Sequence, residues 1–115
     1  MDIKFEVKKQ DDVLIFTILD KDITHQNAAS FKEKIFVEIA QGNNRLILDL
    51  KNVNELDSSG LGALLFGKRQ ADNAGGNILL VAVNPAVQSM IRIAQLSRVF
   101  SSFETVEEAL KELQK

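Results

Sequence analysis

The sequence predicts an α/β fold: a mixed, mostly parallel β-sheet of four to five strands with about four helices packed on it. Two observations carry this. Short, almost wholly apolar runs recur at Val13–Leu19, Leu46–Leu50 and Ile78–Val83, and runs without a polar face belong to strands buried on both sides. Between them lie stretches of helical apolar spacing, which implies parallel strands joined by right-handed crossovers. A third observation sets the scale. The chain has 115 residues, 45% of them apolar and 26% charged, and no cysteine. That is one domain, residues 1–115, able to bury a core without disulfide or metal staples.

Each element follows from its own pattern. Ile3, Phe5 and Val7 alternate with Lys4, Glu6 and Lys8, the period of a strand with one wet face. Gln10, Asp11 and Asp12 make a turn into the buried strand Val13–Leu19, so the first strand is an edge hairpin partner. Ala28, Phe31, Ile35 and Ile39 share one helical face, and Gly42 ends that helix. Leu46–Leu50 is a strand and Lys51–Glu55 a polar connection. Leu61–Asn73 has helical spacing until Gly75 and Gly76 break it before the strand Ile78–Val83. Pro85 suits a first helical turn, where its missing N–H costs nothing, and Val87, Met90, Ile91 and Ala94 mark the buried stripe. Phe100–Phe103 is a candidate last strand. Thr105 and Glu108 have capping-box spacing ahead of a terminal amphipathic helix through Val106, Ala109, Leu110 and Leu113.

Charge and composition exclude several function classes. Fourteen Lys and Arg against sixteen Asp and Glu leave a net charge of −2, and the cations are scattered rather than clustered. Direct nucleic-acid binding needs a basic stripe, so it is not expected. The apolar core of the longest uncharged stretch, Ile78–Val83, is far short of the ~20 residues that span a bilayer. The first residues contain no apolar signal-peptide core. A soluble, cytoplasmic product without membrane insertion is the expectation. The absence of cysteine removes thiol nucleophiles and Cys-based zinc sites.

Catalytic sets are not visible. Residues 62–68 match G-x-x-x-x-G-K, but Arg69 stands where a P-loop needs Ser or Thr for Mg²⁺. Those glycines also lie inside an apolar helix, so the match is coincidental. Gly60 and Gly62 are no dinucleotide fingerprint, because Leu65 occupies the third glycine position. His25, the single histidine, sits among Thr24, Gln26 and Asn27 and reads as a solvated surface residue. No cluster of His and carboxylates has metal-ligand spacing.

The segment that stands out is Asp57-Ser58-Ser59-Gly60-Leu61-Gly62, at the entry to an apolar helix. Asp57 or a serine there is a good N-cap. Capping leaves the glycines unexplained, since Gly60, Gly62 and Gly67 each cost ~1 kcal/mol relative to Ala in a helix interior. Bare backbone allows either a second surface to approach or the helix to pack tightly on its own sheet. A helix start also presents free N–H groups and a positive dipole end, so a phosphate on Ser58 is tolerated there. On these residues alone, a cap and a phosphorylation switch both stay open.

In this context the sequence resembles the STAS domain family (sulfate transporter and anti-sigma factor antagonist), and within it the stand-alone bacterial anti-sigma factor antagonists. The residues that carry the resemblance are Leu46–Leu50, Asp57–Gly62, the Gly75-Gly76 break before Ile78–Val83, and Asn84-Pro85-Ala86-Val87. The resemblance implies a partner switch without enzymatic activity or cofactor in this chain. Unmodified, such an antagonist binds an anti-sigma factor serine kinase and releases a sigma factor; phosphorylation abolishes binding, and a PP2C-type phosphatase resets the system. Carried over by position, Ser58 is the phosphoacceptor. The partner-binding surface then comprises Asp22, Ile23, Thr24, Asp57, Ser58, Ser59, Gly60, Leu61 and Gly62, rather than the terminal helix. One departure is visible: Thr24 stands where the family often has a second acid, and its expected role is the N-cap of the first helix. The alternative is a STAS subunit of another complex, such as an ABC-type lipid transport system, docked permanently and not phosphorylated.

Overall fold

A computed structural model describes residues 1–114 of the chain. The hairpin comes first, β1 (Phe5–Gln10) running antiparallel to β2 (Val13–Ile18) with Phe5 opposite Ile18 and Gln10 opposite Val13. Asp11 turns the chain at φ 57°, a left-handed conformation that Asp adopts more readily than most residues. Helix α1 (Ala28–Ala40) returns the chain to β4 (Arg45–Asp49), α2 (Ser58–Asn73) to β6 (Asn77–Val81), and α3 (Pro85–Ile93) to β7 (Ser102–Phe103). The sheet order is β1-β2-β4-β6-β7, parallel throughout except for the hairpin.

The apolar runs serve two cores at once. Leu14, Phe16, Ile18, Leu46, Leu48, Ile78 and Leu80 face α1, α2 and α3. Their alternates Val13, Ile15, Ile47, Leu79 and Val81 pack against α4 (Val106–Leu113) through Ala109 and Leu110. Phe5 stacks on Phe16 with ring centroids 4.6 Å apart, and Phe31 meets Phe16 edge-on at 5.8 Å. Thr105 Oγ1 accepts from the Glu108 N–H at 3.1 Å, the capping contact its spacing predicts.

Four expectations need correction. Thr24 is not the N-cap of α1; Asn27 holds that position. Ala94 lies just beyond α3 and is exposed. The last strand is two residues rather than four, because only Leu80 and Val81 offer it a register. The polar connection Lys51–Glu55 ends inside a strand: β5 (Glu55–Leu56) pairs in parallel with β3 (Asp22–Ile23) as a separate two-stranded sheet.

Candidate functional site

That small sheet builds the site. Asp22 pairs with Glu55 and Ile23 with Leu56. The Asn54 N–H donates to the Lys21 carbonyl at 2.7 Å and the Asp57 N–H to the Ile23 carbonyl at 3.3 Å. Two segments more than 30 residues apart are thereby fastened side by side, and Thr24–Gln26 lies next to the start of α2. Asn27, buried by 94%, secures the first segment. Its Oδ1 accepts from the Thr24 N–H at 2.9 Å, and its Nδ2 donates to the Asp22 carbonyl at 3.0 Å. Thr24 instead accepts from the Gln26 N–H through Oγ1 at 3.2 Å, a local side-chain turn. Asn84 secures the second segment, donating to the carbonyls of Val53 and Asn54 while its Oδ1 caps α3 at the Val87 N–H.

Asp57 joins the two segments. As N-cap of α2 it accepts from the Gly60 N–H through Oδ1 at 2.9 Å. Its Oδ2 accepts from the His25 backbone N–H at 3.0 Å, with His25 Nδ1 3.4 Å away. The Gly60 N–H does most to hold the carboxyl below its ordinary pKa, the His25 contacts adding to it against partial desolvation. A carboxylate with a depressed folded pKa supplies stability that is complete above its unfolded value, 3.8, and lost as pH falls through the folded one. Asp57→Asn keeps a cap acceptor but not the charge. We expect it to be less stable than wild type at pH 7 and the two melting curves to converge as the pH is lowered from 7 to below the folded pKa, which itself lies under 3.8. Thermal unfolding followed by circular dichroism at both pH values checks this; an equal gap at both would remove the charge from the account.

Ser58 occupies the first turn of α2 and is exposed, as is Ser59, and neither hydroxyl has a hydrogen-bond partner among the described residues. Asp22 is exposed on β3, Thr24 is half-buried, and Ile23 is fully buried. The glycines separate into different jobs. A Cβ on Gly60 would overlap the Ile23 carbonyl oxygen and come within 2.9 Å of Leu56 Cβ. Gly60 is therefore buried against β3 and exposes no backbone to a partner, contrary to its expected role. Gly67 lets α2 approach Ile78 and Ile35, its added Cβ meeting them at 3.2 and 3.4 Å. Gly62 alone of the three is open, with nothing within 4 Å of an added Cβ. Leu61 is half-buried against the main core. The exposed part of the predicted surface thus consists of Asp22, Ser58, Ser59 and Gly62, edged by Thr24 and Asp57.

His25 is 76% exposed in its side chain, the solvated histidine its neighbours predict. Its backbone N–H is what the sequence reading missed. An acid at the cap of α2 and a polar turn before α1 was the available signal, but nothing in linear order links them. Beside this junction α1 and α2 leave an open furrow of about 370 Å³, lined by His25, Ala28, Ala29, Lys32, Ser59, Gly62 and Ala63. No group of three His, Cys, Asp or Glu able to hold a metal ion occurs among the described residues, and no described helix is long and apolar enough to cross a membrane.

The STAS domain model matches residues 4–109. A Thermotoga neapolitana protein provisionally named an anti-sigma factor antagonist is 32% identical over 111 residues, covering 96% of this chain and 97% of its own. The anti-sigma F factor antagonist of Paenibacillus polymyxa is 26% identical over 115 residues, covering 99% and 97%. The crystal structure of a Thermotoga maritima protein, also provisionally named an antagonist, superposes with a TM-score of 0.88 at 29% identity, over 96% of this chain and 95% of that one. With the mixed sheet, the capped α2 and a match across nearly the whole chain, this protein belongs to the STAS domain family.

Proposed function

We propose that the chain is an anti-sigma factor antagonist whose binding is switched by phosphorylation of Ser58. One observation carries this reading: Ser58 presents a free, exposed hydroxyl at the first turn of α2, beside a cap that is already occupied. The names of the relatives support the same role. Unmodified, the face formed by Asp22, Ser58, Ser59 and Gly62, edged by Thr24 and Asp57, binds an anti-sigma factor serine kinase, which lets go of its sigma factor. The kinase then moves the γ-phosphoryl group of ATP onto Ser58 Oγ, and a PP2C-type phosphatase hydrolyses it off again.

The chemistry belongs to the partners. Transfer needs a base for the Ser58 proton, and both Asp57 oxygens are engaged by N–H donors, so the kinase supplies that base. The chain itself acts by binding, without turnover or cofactor, in the cytoplasm where sigma factors operate. Incubation with the cognate kinase and Mg-ATP, followed by mass spectrometry, should find one phosphate on Ser58 and none on Ser58→Ala. Phosphate on Thr24 or Ser59 with Ser58 unmodified would overturn the acceptor assignment. A stable complex with a transporter ATPase and no phosphate on any residue would favour the permanently docked subunit.

A further inference from the structure

We propose that the furrow between α1 and α2 is a second docking element, which receives an acidic segment of the partner, a small apolar side chain between the helices and a carboxylate beside Lys32. This rests on the antagonist reading and deepens it by naming the chemistry of the bound surface.

Space is the first argument. Further along the pair, Gly67, Ile35 and Ile78 close the gap between helices and sheet. At the N-terminal ends the facing residues are Ala28, Ala29, Gly62 and Ala63, too small to fill the 370 Å³ between them. Apolar walls with bare backbone accept a compact aliphatic side chain at little steric cost.

Charge is the second argument. His25 and Lys32 are the two ionisable residues of the lining, in a chain whose net charge is −2. His25 already faces the Asp57 carboxylate. Lys32 has no carboxylate within 4 Å among the described residues; its ammonium stands 5.2 Å above the Phe66 ring. An incoming acid is therefore repelled at the Asp57 end and attracted at the Lys32 end, which fixes the orientation of the segment. The furrow also opens at Ser59, adjacent to Ser58. A phosphate on Ser58 brings negative charge to its mouth, so the modification would act on this segment as well as on the contact at Ser58 itself.

The test measures affinity for the cognate anti-sigma kinase by calorimetry at two salt concentrations, with thermal unfolding of each variant alongside. Lys32→Glu should weaken binding at least about tenfold and reduce its salt dependence. Ala29→Leu, which fills the furrow at an exposed position, should weaken it similarly while melting as wild type does. Lys111→Glu, on α4 across the sheet, should bind unchanged. Wild-type affinity for both Lys32→Glu and Ala29→Leu, while the parent protein binds and takes phosphate on Ser58, would overturn the furrow and spare the antagonist reading. Tighter binding by Lys32→Glu would overturn the acidic occupant. A parent protein that neither binds nor accepts phosphate would refute the antagonist reading, and the furrow proposal with it.

Discussion

Gly60→Ala is expected to destabilise the protein by about 3 kcal/mol, near the upper end of what overpacking an interior costs. The added methyl meets the Ile23 carbonyl, a backbone atom that accepts the Asp57 N–H. It cannot swing away as a flexible side chain would, so relief requires β3 and α2 to separate. For a chain of this length that corresponds to a melting temperature lowered by roughly 10 °C. Partner binding should fall in parallel even at temperatures where the variant stays folded, because the same displacement moves Ser58 relative to Asp22 and Thr24. Gly62→Ala is the matched control. Its Cβ enters open space, and Ala is favoured over Gly in a helix by ~1 kcal/mol, so this variant should melt slightly higher than wild type. Calorimetric scans of both variants check the pair. Equal effects at the two positions would mean that close packing against Ile23 does not explain Gly60.

Ser58→Asp should reduce affinity for the unmodified protein's kinase partner, and true phosphorylation should reduce it about a hundredfold. Phosphate adds about −1.5 to −2 charges. Free in solution, that charge faces the first turn of α2, whose dipole offsets part of it, so the fold should persist. Within an interface the same charge must lose its water, and placing it near like charge costs several kcal/mol. About 3 kcal/mol is enough for the hundredfold change. Aspartate carries only about half to two thirds of that charge and should give an intermediate loss, whereas Ser58→Ala should bind as wild type does and resist modification. Surface plasmon resonance on the three forms, with circular dichroism to verify folding, decides the matter. Equal affinity of the phosphorylated and unmodified proteins would sink the switch.

The sequence displayed the sheet more clearly than the site. Val13–Ile18, Leu46–Asp49 and Asn77–Val81 are legible because two buried faces leave almost no polar residue in a strand, a signal that needs no knowledge of neighbours. The pairs Asp22-Ile23 and Glu55-Leu56 are too short to display any period, and they are strands only because each finds the other. Asn27 and Thr24 are both good capping residues, and linear order does not say which one the buried position near Asp22 will claim. The three glycines of α2 are the sharpest case. One letter at positions 60, 62 and 67 means contact with the short strand β3, open space, and close packing on both the main sheet at Ile78 and helix α1 at Ile35, respectively, and only the third dimension separates them.

The two-stranded pairing of Asp22-Ile23 with Glu55-Leu56 has a consequence for when the site comes into being. Its contacts join residues 33 positions apart, and closing so long a segment is entropically unfavourable until the intervening chain has condensed. Pairing of β4 with β2 through the α1 crossover shortens that distance. Only then can four residues, held by few contacts of their own, bring Asp57 to His25 and place Ser58. Recognition therefore waits on nearly complete folding. A partner that reads Ser58 together with Asp22 also reads whether the chain has reached its native topology, and a half-folded antagonist, with these two residues still apart, offers it nothing to hold.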